Sequence, residues 1–260
     1  MKIQAVINYL DEIYKPQLQE TYDNAGHTVG DANNTITGVL VVLDVTPEVV
    51  DEAIEYGCNL IVSHHPMIFR GLKRIVPDNV QCQMLEKLIK KDICLYAAHT
   101  NLDNLITGVN GILAEKLKIR NPQIIKSVCD DDAVGAGIIG TLEKAIPTYS
   151  YMATIKETLG LPLLRSSKIV KDNVQRIAIC GGAGSFLIDD AIANEADIYL
   201  TADLKYHDFQ RADARIILAD IGHYESEQFA QELIYNDIIK KFSTFATRIS
   251  KVNTNYIYYI

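Results

Sequence analysis

The stretch VLVVLDVTPEVVDEAIEYGCNLIVSHHP, residues 39–66, contains the repeating unit of this chain. Its opening apolar run predicts a buried strand, and Pro47 favours a helix that begins just after that run. Residues 58–63 predict a second strand, which leads directly into His64 and His65. A strand, a helix and a second strand in this order are typical of a βαβ unit, whose two strands run parallel.

The alternation of strands and helices continues along almost the whole chain. Further strands are predicted at 93–98, 133–142, 176–180, 198–201 and 215–219, with a closing strand at 255–260. Further helices are predicted at about 80–91, 108–118, 147–159, 205–212 and 224–242. This pattern predicts an α/β protein of two α/β domains, whose mainly parallel or mixed sheets are flanked by helices.

A domain boundary is predicted where this alternation is interrupted. Residues 120–133 break the pattern and include three successive acids. We therefore predict a first α/β domain at 1–125 and a second at 126–260. Candidate ligands near the end of the chain must meet others that precede residue 104, so we expect the segment from about 220 to 260 to pack back onto the first domain.

The composition is that of an acidic protein with a large core. Hydrophobic residues make up 48% of the 260 residues, and 33 Asp and Glu against 25 Lys and Arg give a net charge of −8. Such a surface repels nucleic-acid phosphates and anionic lipid heads, so we expect neither nucleic acid nor a membrane as a partner. A local basic pocket for one small anionic molecule is compatible with this charge.

Two further features indicate a cytoplasmic protein. No apolar run approaches the roughly 20 residues of a membrane-spanning helix, and the N-terminal segment resembles an amphipathic helix more than a signal peptide. The five cysteines are odd in number, scattered and without a CxxC pair. This favours buried free thiols in a reducing compartment.

Candidate metal ligands follow two of the predicted strands. His64 and His65 end one strand, and neighbouring side chains there diverge, which suits two ligands for two different ions. The alternative is a polar turn with one imidazole capping a backbone group. His99 and Asp103 follow the next strand, and Asp103 is placed to bridge two cations. The alternative there is that Asp103 or Asn101 caps the next helix.

A third candidate pair opens the last predicted helix. His223 and Glu227 are four residues apart, so their side chains lie on one helical face. The alternative is an ordinary exposed His–Glu pair, and Glu225 falls on another face that we expect to be solvated. Because three strand ends carry such residues, we predict a site for two divalent metal ions, with Asp103 shared and open positions for a water nucleophile. Mixed nitrogen and oxygen ligands suit Zn, Fe, Mn, Ni or Co.

Two other features have open interpretations. GGAGS, residues 181–185, follows a strand and could present backbone N–H groups to a phosphate, or could serve close strand–helix packing. His207 could be a proton carrier beside the metal site or a histidine on a helix surface.

The chain also resembles a known family over nearly its whole length, the dinuclear-metal Nif-three-like family, whose members are named GTP cyclohydrolase 1 type 2 homologs. The matching blocks are Asp23 to Gly26, Ser63 to Ile75, His99 to Asp103 with Gly108 to Asn110, Cys180 to Gly182, Ala196 to His207, and Gly222 to Glu227.

The resemblance implies a fold, a ligand set and an assembly. It implies two α/β domains with two metal ions between them, and a ring-shaped homohexamer. The implied ligands are His64, His65, Asp103, His223 and Glu227, with His99 nearby.

These features lead to one functional hypothesis and two alternatives. The first is a metal-dependent hydrolase of a nucleotide-like molecule, such as GTP ring opening, with His99 or His207 moving protons. The second is a non-enzymatic metal-binding hexamer that scaffolds protein partners. Phosphoester hydrolysis is a related enzymatic alternative, because two-metal sites support it as well.

Overall fold

The computed structural model describes all 260 residues, and the predicted α/β class is confirmed. The helices are α1 Ile3–Tyr14, α2 Pro47–Glu55, α3 Val80–Lys90, α4 Thr100–Asp103, α5 Val109–Lys116, α6 Thr148–Leu159, α7 Ile188–Ala193, α8 Tyr206–Gln210, α9 His223–Glu227 and α10 Ala230–Lys241. The strands are β1 Gly26–Val29, β2 Gly38–Val42, β3 Leu60–Ser63, β4 Cys94–Ala97, β5 Arg120–Ser127, β6 Gly135–Pro147, β7 Arg165–Ser166, β8 Asn173–Ala183, β9 Ile198–Ala202, β10 Ile217–Asp220 and β11 Ala246–Ile249. None of the helices is both long enough and apolar enough to cross a membrane.

Two compact units divide the chain. Unit 1 comprises residues 1–102 and 230–256, and unit 2 comprises residues 103–229 and 257–260. The division falls just before Asp103, whereas the sequence pattern places the boundary at residue 125. Strands β5 and β6 pair antiparallel, and the acids that suggested a linker lie in the connection of this hairpin.

Unit 1 is built around a five-stranded sheet in the order β1-β4-β3-β2-β11. Strands β4, β3, β2 and β11 run parallel, and β1 is antiparallel to β4. Every residue of β2, β3 and β4 is buried, as expected for parallel strands covered on both faces. Because β3 and β4 are parallel neighbours, the residues that follow them lie at the same edge of the sheet.

The helices of unit 1 bury apolar side chains against its sheet. Val49, Val50 and Ala53 of α2 form one core cluster with Leu85 and Leu88 of α3 and with the apolar side chains of the sheet. The first turn of α2 has Pro47 just inside its start, and the Thr46 side chain accepts a hydrogen bond from the backbone N–H of Val49.

Unit 2 contains a six-stranded mixed sheet in the order β5-β6-β8-β9-β10-β7. Its three central strands β8, β9 and β10 are parallel, and the outer pairings are antiparallel. One core cluster contains Tyr151 and Ile155 of α6, and another contains Ile188 and Ala191 of α7. The carboxyl ends of β8, β9 and β10 lead to the candidate residues of this unit.

Two predicted elements near the C-terminus are wrong. The single helix predicted at 224–242 is two helices, because Gln228 ends α9 and its side-chain amide donates to the carbonyl oxygens of Glu225 and Leu159. Phe229 packs against the core of unit 2, whereas the core side chain Ile238 lies in the α10 helix of unit 1. A continuous apolar period across residues 228–229 had concealed this break.

Residues 255–260 do not form the predicted closing strand. The free edge of β2 is taken instead by β11, which pairs with it in parallel. The tyrosines and isoleucines of the predicted strand are largely exposed, so a strand-like composition here had no sheet edge to join.

Candidate functional site

Three imidazole rings of unit 1 lie together at the carboxyl ends of β3 and β4. The ring centroids of His64 and His65 are 4.9 Å apart, and each lies 5.5 Å from the centroid of His99. His64 is fully buried, whereas the side chains of His65 and His99 keep 21% and 16% of their exposure. The fold of unit 1 therefore brings these three residues, which follow two predicted strands, to one edge of its sheet.

Each of these rings is held at Nδ1 by an oxygen atom. The Nδ1 of His64 donates to the backbone carbonyl of Ala98 at 2.7 Å. The Nδ1 atoms of His65 and His99 lie 2.7 Å from the carboxylate oxygens of Asp44 and Asp23, respectively. A neutral imidazole whose Nδ1 carries the proton presents Nε2 as its acceptor or ligand atom.

Asp23 joins His99 to the turn that precedes β1. Its carboxylate also accepts hydrogen bonds from the backbone N–H and the hydroxyl group of Thr100. Burial acts to raise the pKa of Asp23, but the hydrogen bonds from His99 and Thr100 outweigh it and lower the pKa to about 2. The carboxylate is therefore ionised near neutral pH and fixes the orientation of the His99 ring.

The side chain of Asn101 holds the backbone N–H of His99 in place. Its side-chain Oδ1 accepts from the backbone N–H of His99 at 2.9 Å, and its Nδ2 donates to the carbonyl of Tyr14 at 2.6 Å. Neither Asn101 nor Asp103 caps α5, since α5 begins after Gly108 without a side-chain cap. The capping alternative for these two residues is wrong.

We expect the change of Asn101 to alanine to destabilise the protein by about 1–3 kcal/mol, because it removes the partner of the buried Tyr14 carbonyl and of the part-buried His99 N–H. Urea unfolding followed by circular dichroism measures this free energy. The change of the exposed Asn33 to alanine is the control, because both of its bonds are to Asp31 in the same turn. Equal stability of the two variants would contradict this role of Asn101.

His223 and Glu227 lie side by side on α9 of unit 2. The Nε2 of His223 and the Oε2 of Glu227 are 2.9 Å apart, and the Nδ1 of His223 lies 2.8 Å from the Oδ2 of Asp203. Burial lowers the pKa of His223, but its bonds to the two carboxylates outweigh this and raise the pKa to about 11. Binding of a metal ion at this Nε2 therefore requires the loss of a proton.

Gly182 lets the end of β8 pass directly beneath these two side chains. Its φ is +62°, and its N–H donates to the Ser226 hydroxyl at 2.9 Å. A Cβ atom here would overlap the Oε1 of Glu227 and lie 3.5 Å from the Cε1 of His223. Gly181 and Gly182 thus belong to a strand packed against a helix, which matches the packing interpretation of the GGAGS stretch.

Asp103 is connected to the same strand end through Asn110. The Nδ2 of Asn110 donates to the backbone carbonyl of Asp103 at 3.2 Å, and its Oδ1 accepts from the N–H of Gly181 at 2.8 Å. Asp103 and Glu227 both act to raise the pKa of the Cys180 thiol, after burial, which is the larger cause. Unit 2 therefore brings three candidate ligands, Asp103, His223 and Glu227, to the region around the end of β8.

Glu225 lies in surroundings that differ from the predicted ones, and the surroundings of His207 give little support for a catalytic role. Glu225 is buried instead of solvated, because the helix turns it towards Gly222. His207 is exposed on α8, where its Nδ1 lies 3.3 Å from the Oε1 of Gln210 on the same helix. This contact matches the surface interpretation of His207, and its role as a proton carrier stays a prediction.

The sequence pattern indicates no separate role for Asp44, Asp203 or Asn110, and Asp23 stands out only as part of a block that matches the family. For Asp44 and Asp203, the sequence does contain a signal of such a role. Asp44 follows the β2 run and Asp203 follows β9, so both are acids at the carboxyl ends of strands. Asp203 also has a φ of +57°, a conformation that only the structure reveals.

Comparison with known proteins identifies the family. The sequence profile of Duf34/NIF3 (NGG1p interacting factor 3) matches residues 1–256. The chain belongs to the Duf34/NIF3 family. The resemblance stated from the sequence motifs is thereby confirmed.

Similar Duf34/NIF3 proteins cover nearly the whole chain. A Clostridium perfringens protein named GTP cyclohydrolase 1 type 2 homolog is 36% identical over 230 residues, covering 87% of each chain. A protein of the same name from Campylobacter jejuni is 31% identical over 244 residues, covering 92% of each. The crystal structure of a Staphylococcus aureus hypothetical protein matches with a TM-score of 0.91 and 30% identity, covering 100% of this chain and 99% of that one.

The donor atoms of this Duf34/NIF3 chain fit divalent transition metals. Imidazole nitrogens and carboxylate oxygens are the ligands that Zn, Fe, Mn, Ni and Co share. In metal sites, a ligating histidine usually donates its other ring N–H to a carboxylate or a carbonyl oxygen. His64, His65 and His223 all have such a partner at Nδ1. The donor chemistry of these side chains therefore fits a divalent transition-metal ion.

Proposed function

We propose that this protein is a metal-dependent hydrolase of a nucleotide-like substrate, with GTP ring opening as the reaction to test first. Its two divalent ions would be bound by His64, His65, Asp103, His223 and Glu227. The possible ligands include His64, His65 and Glu227, each of which offers one donor atom. The name GTP cyclohydrolase 1 type 2 homolog, carried by similar proteins, supports GTP as the first substrate to test.

One observation carries this proposal: four imidazoles at strand ends each have Nδ1 held by an oxygen. The acceptors are Ala98 O, Asp44, Asp23 and Asp203. His27 and His207 lack this arrangement, since His27 contacts a carbonyl of its own strand through Nε2 and His207 contacts a glutamine. A shared ring orientation at four strand-end sites is the expected design of ligating and proton-transferring histidines.

When bound, two divalent ions supply Lewis acidity and an activated water at neutral pH. The side chains of the chain then have separate tasks. Asp44 and Asp203 hold the rings of His65 and His223 in the ligating tautomer. His99, whose Nδ1 is fixed by Asp23, has its Nε2 as the atom that accepts and returns a proton. Asp103 would be the ligand shared by both ions.

We expect the changes Asp44→Asn and Asp203→Asn each to weaken metal binding by about 10- to 100-fold, since each removes the carboxylate that orients a ligating ring. Competition with a chromophoric chelator measures this affinity. Asp189→Asn is the control, because Asp189 pairs with Arg211 and not with a histidine. Unchanged affinity in both variants would contradict the orienting role.

Turnover tests the proposed reaction. Protein stripped of metal and reloaded separately with Zn, Fe, Mn, Ni or Co is incubated with GTP, and the loss of GTP and the formation of a ring-opened product are followed by liquid chromatography. We expect turnover with at least one metal, and its loss in Glu227→Gln with the circular dichroism spectrum unchanged. Hydrolysis of bis-p-nitrophenyl phosphate alone would instead favour a phosphoesterase, and no turnover of either substrate would sink the hydrolase proposal.

The family description favours one non-enzymatic alternative, because it names an interacting factor. In that case the chain is a metal-binding homohexamer that scaffolds protein partners. Light scattering of the purified protein tests the assembly, which should have six times the mass of one chain. The Glu227→Gln variant separates the two functions, since a scaffold would keep its partners when turnover is lost.

A further inference from the structure

Two exposed aromatic rings lie beside His99 in unit 1. The ring centroids of Phe69 and His99 are 6.1 Å apart, and those of Phe69 and Tyr22 are 6.3 Å apart. Phe69 is 41% exposed and Tyr22 is 62% exposed. Large aromatic side chains usually bury their rings, so two adjacent exposed rings next to a cluster of imidazoles call for a physical explanation.

The segment that carries Phe69 is anchored by the same turn that holds His99. The Nδ2 of Asn24 donates to the carbonyl oxygen of Ile68 at 2.6 Å, and the preceding residue, Asp23, holds the His99 ring. The Nε2 of Gln81 donates to the carbonyl oxygen of Met67. Phe69 therefore follows two anchored backbone groups, and its distance from His99 is set by one shared turn.

Basic residues follow Phe69 directly. Arg70 and Lys73 are exposed, and neither forms a hydrogen bond or an ion pair in the structure. Arg74 has only an exposed pairing with Asp78, at 3.3 Å. The chain as a whole carries a net charge of −8, so a local group of cations in the segment that follows Phe69 runs against its overall charge.

We propose that the Phe69 ring is a stacking shelf for the planar heteroaromatic ring of an anionic substrate, with the Tyr22 ring, inclined to it by 54°, bounding one side. Arg70 and Lys73 bind the anionic group of this substrate. This inference rests on the proposed function and assigns the residues that bind the ring and the anionic group of its substrate. Aromatic faces stack on bases of any sequence, and exposed guanidinium and ammonium groups bind phosphate oxygens. The shelf places such a ring next to His99, the residue that we propose accepts and returns a proton during hydrolysis.

The probe for this site is 2-aminopurine riboside 5′-triphosphate, whose fluorescence is quenched when its base stacks. We expect quenching by the intact protein and binding about tenfold weaker in Phe69→Leu, which keeps an apolar side chain without the ring. The double change Arg70→Gln with Lys73→Gln should weaken binding by a similar factor and reduce its dependence on salt. Tyr149→Leu, and Lys144→Gln with Lys168→Gln, are the matched controls on the exposed surface of unit 2.

The fluorescence of the probe distinguishes the stacking shelf from the hydrolase function. Quenching that is lost in Phe69→Leu and kept in Tyr149→Leu supports the shelf, even if no nucleotide is hydrolysed and the proposed function fails. Wild-type binding in both the Phe69 and the Arg70–Lys73 variants overturns the shelf, even where GTP turnover stands. Absence of quenching by the wild-type protein overturns it as well, and bis-p-nitrophenyl phosphate turnover then reports separately on the hydrolase.

Discussion

Replacing Asp103 by asparagine is expected to reduce the affinity for metal by more than about 100-fold. This exceeds the usual effect of removing a side chain that only hydrogen-bonds to a metal ligand. Asp103 is the ligand that we propose both ions share, and its carboxylate would offset their mutual repulsion. Asparagine keeps the size of the side chain and leaves the backbone carbonyl free to accept the bond from Asn110. Turnover should fall with the metal content, and the free energy of unfolding of the metal-free protein should change little.

The control for this variant is Asp51→Asn, which removes an exposed carboxylate that pairs with Lys87. Both proteins are stripped, reloaded under the same conditions and passed through a desalting column, and their metal content is measured by mass spectrometry. Asp103→Asn protein that retains the same number of ions as Asp51→Asn protein would show that Asp103 is not a shared ligand.

Replacing Gly182 by alanine is expected to abolish metal binding at the His223–Glu227 pair. The change should cost only about 1–2 kcal/mol of folding free energy, the usual penalty for an alanine in the left-handed backbone conformation. The added Cβ would overlap Glu227 Oε1. Because that atom is the end of a side chain, Glu227 can turn away at small cost to the fold, but it then leaves its place beside His223.

Gly160→Ala is a close control for this prediction. Gly160 ends α6 with a φ of +68°, and nothing lies within 4 Å of the position that its Cβ would take. The two variants therefore share the backbone strain, and they differ in the overlap with Glu227. We expect similar losses in urea unfolding and a loss of metal in Gly182→Ala alone. Equal metal content in the two variants would show that Glu227 does not need its present position.

The sequence predicted the fold best where local pattern and tertiary burial agree. Residues 39–66 form the β2–α2–β3 unit as expected, because two buried apolar runs flank a helix with Pro47 at its start. The pattern failed at residues 228–229, where no Gly or Pro marks the end of α9 and a glutamine side chain caps it instead. The boundary at Asp103 likewise has no composition signal, since it falls within the short helix α4.

The candidate ligands could be predicted from the sequence, but their supports could not. His64, His65 and Asp103 follow predicted strands, and parallel strands in an α/β sheet present their ends at one edge. The partners of these residues come from distant parts of the chain, as with Asp44 for His65 and Asp23 for His99. No local spacing relates such pairs. The need for a glycine at position 182 arises from the packing of helix α9 against the end of β8, which the sequence pattern does not reveal.

The metal content of the wild-type protein tests the central claim most directly. Protein purified without chelator, and a sample stripped and reloaded with Zn, Fe, Mn, Ni or Co, are analysed by inductively coupled plasma mass spectrometry against protein concentration. We expect about two ions per chain, as a two-metal site requires. A protein that stays essentially free of metal after reloading with each of these ions would contradict the proposed site and the hydrolase function built on it.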